Sequence, residues 1–158
     1  MQKKTNLPFI PIFFKIHSER SFLGSTVDER ETSIKNNLHL LPHMKYKLKG
    51  KTVIVLDDST VRGNNSMHTR KILYNEAKVK KAYLVNFTPP IGIIPGDNIP
   101  RGCEYGVDMP PTDDFIARNR NITEISDKIG MPVTYISSKG MLEAYKTLGI
   151  KPKNPSTE

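Results

Sequence analysis

The sequence predicts an α/β protein with a Rossmann-like parallel sheet flanked by helices, and three observations predict it. Thr52-Val53-Ile54-Val55-Leu56 is a continuous apolar, β-branched run of the kind that forms a central parallel strand. A helical pattern and a second apolar run follow, giving strand, helix, strand over about 35 residues, the size of a βαβ unit with its right-handed crossover. Between the first strand and the helix lies a polar turn that opens with two acids, at the strand end where open α/β sheets bind ligands.

Taken in order, residues 9–16 are β-rich and mostly apolar, and are expected to form a strand covered on both faces. Residues 17–37 are polar and charged, with Gly24 and Ser25 among them, which fits a long mobile loop carrying a short helix over residues 28–35. Gly50 punctuates the chain before the strand at residues 52–56. After the turn of residues 57–65, Ile72, Leu73 and Ala77 place an apolar stripe on a helix over residues 66–77. Ala82-Tyr83-Leu84-Val85 marks the next strand. Residues 88–111 are proline-rich and irregular, with Pro95-Gly96-Asp97-Asn98 as a turn insertion. Thr112 is placed to cap one helical piece, with Asp113 and Asp114 in its first turn, and Thr123 to cap a second that stops near Gly130. Residues 133–136 read as a short strand and residues 139–148 as a last helix ending at Gly149. Residues 1–150 thus form one partial domain, and the Pro- and Lys-rich tail of residues 151–158 is expected to be disordered.

A chain of 158 residues holds one compact core rather than two. Its net charge of +8, from 24 Lys and Arg against 16 Asp and Glu, suits an anionic partner such as a phosphorylated small molecule or a nucleic acid, or serves only solubility. The aromatic residues are not interleaved with the basic ones as a single-strand platform requires, so nucleic acid is not the expected partner. Cys103 is the sole cysteine, which excludes an intrachain disulfide and a four-cysteine metal site within one copy. No stretch reaches the ~20 apolar residues of a membrane-spanning helix, and no membrane partner is expected. The run from Pro8 to Phe14 is interrupted by Pro11 and lacks a small-residue cleavage site, so it reads as a strand rather than a signal peptide, and the expected location is the cytoplasm. The four histidines, His17, His39, His43 and His68, have no metal spacing; His17 and His39 are the two placed to face a ligand.

The chemistry is concentrated in Val53-Ile54-Val55-Leu56-Asp57-Asp58-Ser59-Thr60-Val61-Arg62-Gly63-Asn64-Asn65-Ser66. Successive backbone N–H groups, a flexible Gly63, the polar side chains of Ser59, Thr60, Asn64, Asn65 and Ser66, and the following helix N-terminus together make a phosphate site. It is not a Walker loop, because no Gly-Lys-Ser/Thr step follows the turn. Asp57 and Asp58 would repel a phosphate set directly on them; they suit a neighbouring diol or a divalent cation. A 5-phosphoribosyl group satisfies both halves. An isolated Asp-Asp pair at a strand end is otherwise ordinary turn chemistry, and it is the whole segment that points further.

That segment resembles the phosphoribosyl-diphosphate motif of phosphoribosyltransferases. In the form Asp-Asp-Ser-x-Val-Arg-Gly it is similar to the glutamine amidophosphoribosyltransferases. Pro89-Pro90-Ile91 and Cys103-Glu104-Tyr105-Gly106-Val107-Asp108-Met109-Pro110 look like that family's Pro-Pro and Cys-Phe-Tyr-Gly-Ile-Asp stretches. Phe115-Ile116-Ala117, Glu124-Ile125 and Ile129-Gly130 fall where it has helices, and Lys15 and Arg20-Ser21-Phe22 resemble its flexible catalytic loop. The resemblance runs from about residue 13 to residue 148 and implies a phosphoribosyltransferase-type sheet, here lacking its first strands.

It also implies a division of labour. Asp57 and Asp58 would hold the ribose hydroxyls and Mg²⁺; Ser59, Thr60, Val61, Arg62, Gly63, Asn64, Asn65 and Ser66 would cradle the 5-phosphate; Lys15 and Arg20 would close over the diphosphate. The implied reaction is displacement of diphosphate from 5-phosphoribosyl diphosphate by ammonia, giving 5-phosphoribosylamine, the first step of purine synthesis. Several features depart from the family's pattern. The chain begins Met1-Gln2-Lys3 without the glutaminase domain, so a separate glutaminase or N-terminal subunit is an expected partner. Leu40 stands where a lysine is usual, and Gly63-Asn64-Asn65 replaces Gly-Thr-Thr or Gly-Asn-Thr. Cys103 matches a position that binds an iron–sulfur cluster in some members, but without three more cysteines no cluster is expected. The alternative is a non-catalytic module that binds phosphoribosyl diphosphate or a nucleotide monophosphate in regulation. In either case an exposed sheet edge would invite pairing, including a homo-oligomer.

Overall fold

A computed structural model describes residues 6–15, 38–92 and 115–150. Its elements, in chain order, are β1 (Phe13–Lys15), β2 (Leu38–Leu40), α1 (Met44–Leu48), β3 (Thr52–Asp57) and α2 (Asn64–Lys71). A π-helical turn (Ile72–Glu76) continues α2, followed by β4 (Lys81–Asn86), α3 (Ile122–Ile129), β5 (Val133–Tyr135) and α4 (Ser138–Thr147). Strands β3, β4 and β5 form a parallel sheet in that order, flanked by helices, so the chain is α/β as its sequence predicts.

Register fixes what each face of the sheet does. Val53 pairs with Ala82, Val55 with Leu84 and Asp57 with Asn86, while Leu84 pairs with Val133 and Asn86 with Tyr135. Residues paired in a parallel ladder share a face, so these all point one way. That face is dry. Ala82, Leu84 and Val133 are buried with Ile72 and Leu73 of the π turn and Ile125 and Ile129 of α3. The opposite face of β3 is not covered: Ile54 is 51% and Leu56 40% exposed. Parallel sheets are normally covered on both faces, and three strands with one open face make an incomplete sheet of this type.

Short strands leave backbone groups to satisfy, and side chains satisfy them. β5 pairs with β4 only from Leu84 onward. The Ala82 amide, below that point, donates to the Tyr74 hydroxyl at 3.0 Å. The Arg70 guanidinium lies over the Tyr74 ring, 5.4 Å from its centre. α3 begins at a capping box: the Asn121 carboxamide accepts the Glu124 amide at 3.0 Å, and the Glu124 carboxylate accepts the Asn121 amide at 2.7 Å. Thr123, the expected cap, therefore sits inside the helix; Asn121 has the carboxylate three residues on that a capping box requires. The helix ends at Gly130, in the left-handed region with φ 81°, as its sequence predicts.

Other expectations are corrected. Among the described residues, the strand expected over residues 9–16 comprises Phe13–Lys15, and it pairs antiparallel with β2 instead of joining the parallel sheet. Phe9 is 64% and Ile10 47% exposed, so this run is not a buried strand; Pro8 and Pro11 lack the N–H groups a ladder needs. β2 and α1 add Leu40 and Met44 to the core. Leu40, where the resembled family has lysine, thus packs inside. Residues 116–119 form a turn rather than a helix. The expected loop of residues 17–37, the insertion at residues 95–98, Thr112 and the tail of residues 151–158 lie outside the described residues. Among the described residues no helix is long and apolar enough to cross a membrane.

Tyr135 closes β5 with its hydroxyl buried and unpartnered, and burial pushes its pKa up to about 12 from the ordinary 10.0. A tyrosine whose folded pKa is raised contributes stability that is full below the unfolded pKa and is lost as pH climbs toward the folded one. Thermal stability is therefore expected to fall between about pH 10 and pH 12, and Tyr135→Phe to flatten that fall while leaving neutral-pH stability unchanged or slightly raised. Parallel melting curves of the two proteins across this range check it.

Candidate functional site

β3 delivers Asp57 and Asp58 to the carboxyl edge of the sheet, and the chain turns at once into α2. The first acid is half-buried and the second exposed. Each carboxylate bends back on the backbone: Asp57 Oδ1 accepts the Asp58 amide at 3.0 Å, and Asp58 Oδ1 accepts the Ser59 amide at 2.7 Å. Both acids are therefore held at the mouth of the loop by local hydrogen bonds, as short Asp side chains do in turns.

Beyond them the loop is bound to the body of the protein from below. Thr60 is buried and its hydroxyl donates to Asn86 Oδ1 at 2.7 Å, with the buried Ser66 hydroxyl 3.4 Å away. The Ile116 amide donates to the Val61 carbonyl at 2.8 Å. Gly63 is buried at φ 84°, and a Cβ there would meet Cδ1 of Ile116, a side chain with no solvent exposure. The loop passes too close to Ile116 for a side chain, and its backbone is left-handed, so two independent reasons require glycine.

Gly63 is the N-cap of α2, and no side chain caps that helix end. The first intrahelical bond runs from the Met67 amide to the Gly63 carbonyl at 2.9 Å. The amides of Asn64, Asn65 and Ser66 consequently begin the helix ahead of its first intrahelical bond, with no cap side chain to accept from them. Orphan N–H groups and the positive end of the helix dipole make such a terminus favourable to an anion. Here two carboxylates stand at the other end of the same loop.

The structure thus places Asp57, Asp58, Ser59, Thr60, Val61, Arg62, Gly63, Asn64, Asn65 and Ser66 in one continuous strand–loop–helix segment. Thr60 and Ser66 face inward and act on the loop's shape, not at its surface. Lys15 ends β1, in a hairpin separate from the parallel sheet; Arg20 and Cys103 lie outside the described residues. His39, expected to face a ligand, stacks its ring 5.5 Å from that of Phe14, and His68 Nε2 lies 3.3 Å from the Leu38 carbonyl. Asn86 is the participant that sequence reasoning passed over. The signal was there: in Ala82-x-Leu84-x-Asn86 a polar residue takes the third inward position of a strand.

No group of three or more His, Cys, Asp or Glu side chains that could hold a metal occurs among the described residues. The donors for a hard cation at this edge are the carboxylates of Asp57 and Asp58. Mg²⁺ commonly binds through one or two carboxylates and completes its shell with water and ligand phosphate oxygens, so this donor set fits an ion shared with a ligand and does not fit a closed protein cage.

No family model matches the chain. Individual curated proteins do. The chain is 34% identical over 126 residues to the amidophosphoribosyltransferase of Synechococcus elongatus, which is 79% of this chain and 23% of that protein. The amidophosphoribosyltransferase of Methanothermobacter thermautotrophicus is 32% identical over 133 residues, 84% of this chain and 25% of the relative. That of Saccharomyces cerevisiae is 33% identical over 129 residues, 81% and 23%. The chain spans about a quarter of the length of the curated relatives it matches.

Proposed function

Because the chain belongs to the amidophosphoribosyltransferase family over the segment it shares with these relatives, we propose that this segment binds the ribose 5-phosphate half of 5-phosphoribosyl diphosphate. The observation that carries the proposal is the single loop that starts on two carboxylates and ends on an uncapped helix N-terminus. The amides from Ser59 to Ser66 and the side chains of Ser59, Asn64 and Asn65 take the 5-phosphate, while Thr60 and Ser66 hold the loop from inside. Asp57 and Asp58 take the vicinal hydroxyls and share Mg²⁺ with the ligand. Lys15 and Arg20 supply positive charge to the diphosphate.

The reaction proposed for the whole protein is attack of ammonia on the anomeric carbon with departure of diphosphate, giving 5-phosphoribosylamine. Positive character grows on the ribose ring as the C–O bond breaks, and negative charge grows on the leaving group. Fixed carboxylates near the ring and cations near the diphosphate stabilise that separation without a covalent intermediate. Bound Mg²⁺ would neutralise charge on the diphosphate. A glutaminase unit, in the same longer protein or on a separate subunit, is the proposed source of ammonia. The proposed location is the cytoplasm, and the open face bearing Ile54 and Leu56 supports a further protein layer or a second copy against the sheet.

Calorimetric titration with ribose 5-phosphate and with 5-phosphoribosyl diphosphate, with and without Mg²⁺, tests the binding step. Saturable heat is expected for both, and Mg²⁺ is expected to strengthen the diphosphate ligand more. No heat from either ligand at millimolar concentration removes the proposal. Ammonia-dependent release of diphosphate, assayed separately, tests the chemical step.

A further inference from the structure

We propose that the hydrogen bond between Thr60 and Asn86 is the positioning contact that fixes the loop to the sheet in its amide-presenting conformation. The inference concerns the proposed ribose-phosphate site and rests on that reading only for its ligand arm. Thr60, Ser66 and Asn86 are respectively 3%, 2% and 1% exposed, and they stand among the buried polar residues beneath the loop. Asn86 ends β4, the central strand, opposite Asp57 in the register. Its side chain therefore rises from the carboxyl end of the central strand, directly beside the strand that carries the acids.

Two features separate this contact from ordinary core packing. The Thr60 hydroxyl to Asn86 Oδ1 distance is 2.7 Å, a well-formed O–H···O bond rather than a packing contact. Asn86 Nδ2, by contrast, is buried with no partner. A buried donor left unmade is costly, and an apolar residue at this inward position, continuing Ala82 and Leu84, would avoid that cost. What asparagine provides here and an apolar side chain does not is the oxygen that holds Thr60. The loop's other anchors include the Val61 carbonyl on the Ile116 amide and the close approach of Gly63 to Ile116. Both tie the loop sideways to the turn at residues 115–118. The Thr60–Asn86 bond ties its first half downward to the central strand.

Removing one partner and removing both should differ. Thr60→Val leaves the Asn86 oxygen without its Thr60 donor, and Asn86→Leu leaves the Thr60 hydroxyl only the longer contact to the Ser66 hydroxyl at 3.4 Å; the double variant is an apolar pair of similar size. Replacing both partners of a buried hydrogen bond is close to neutral for stability, whereas replacing one is not. If the bond positions the loop, melting temperature recovers in the double variant and loop order does not.

Hydrogen exchange reads loop order without any ligand. The Ile116 and Met67 amides, bonded to the Val61 and Gly63 carbonyls, report the loop, and the Leu84 amide, bonded to the Pro132 carbonyl, reports the sheet. In both single variants and in the double, the two loop reporters are expected to exchange about tenfold faster than in the parent, relative to Leu84, as for the loss of one hydrogen bond. Thr60→Ser, which keeps the hydroxyl, is expected to exchange like the parent. Affinity for ribose 5-phosphate should fall by about five- to tenfold in the same three variants and hold in Thr60→Ser. Loop reporters that stay protected in the double variant overturn the inference, as does unchanged affinity in variants whose loop has loosened. Should the parent protein bind no phosphoribosyl ligand, the proposed function fails on its own, and the exchange rates still decide whether this bond holds the loop.

Discussion

Gly63→Ala is expected to lower stability by roughly 2–4 kcal/mol, the sum of a left-handed backbone that a Cβ disfavours and a close contact that a Cβ overfills. The first part follows from φ 84° at Gly63, and the second from Ile116 Cδ1, which occupies the space a Cβ would need. Ile116 has no solvent exposure, and its own amide is held by the Val61 carbonyl at 2.8 Å, so its side chain has little freedom to withdraw. Gly50 is the control. It has φ 70° but no atom within 4 Å of the point where a Cβ would stand, so Gly50→Ala carries the backbone part alone, roughly 1–2 kcal/mol. Urea unfolding of the two variants separates the contributions. If Gly63→Ala unfolds at the same denaturant concentration as Gly50→Ala, the loop is not pressed against Ile116. Ile116→Val in the Gly63→Ala background removes the offending methyl group and is expected to restore part of the loss.

The parts of this protein that were legible in its sequence are those where one local signal decides the outcome. The run from Val53 to Leu56 is β-branched and apolar enough to mark a parallel strand, and it forms β3, although β3 stands at the edge of the three described parallel strands and β4 takes the central place. Gly130 and Gly149 end their helices with positive φ, where a residue without Cβ is wanted. What failed depended on competition between neighbours. Thr123 is an acceptable cap taken alone, but Asn121 with Glu124 makes two reciprocal bonds where Thr123 would make one. The apolar run at residues 9–14 has the composition of a buried strand, yet partners decide burial, and its only described strand partner is the three-residue β2.

The candidate site divides in the same way. Asp57, Asp58 and the polar turn could be read as a unit because they are contiguous, and contiguity is what a motif preserves. Asn86 lies 26 positions from Thr60 and is brought to it only by the pairing of β4 with β3. Sequence spacing carries no trace of that juxtaposition; the parallel register does.

The carboxylates are expected to produce effects of opposite sign on two ligands. Asp57→Asn and Asp58→Asn each keep an Oδ1 that can go on accepting the next amide, at 3.0 and 2.7 Å in the parent. The turn should therefore survive, with stability altered by no more than about 0.5 kcal/mol. The lost charge is another matter. Hydrogen bonds to charged groups contribute about 1.5–3 kcal/mol, so Mg²⁺-dependent affinity for 5-phosphoribosyl diphosphate should fall by roughly 10- to 150-fold. Inorganic phosphate has no diol and recruits no ribose contacts, and for it the acids are only like charges a few ångströms away. Their mutual repulsion in a solvated loop is about 1 kcal/mol, so the doubly neutral variant should bind phosphate about fivefold more tightly at low salt, an advantage that salt then screens. Titrating both ligands into parent and variants at two ionic strengths checks the pair of outcomes together. A parallel loss of both affinities would mean that the substitutions had deformed the loop, and a parallel gain would mean that the acids repel the sugar phosphate rather than hold it.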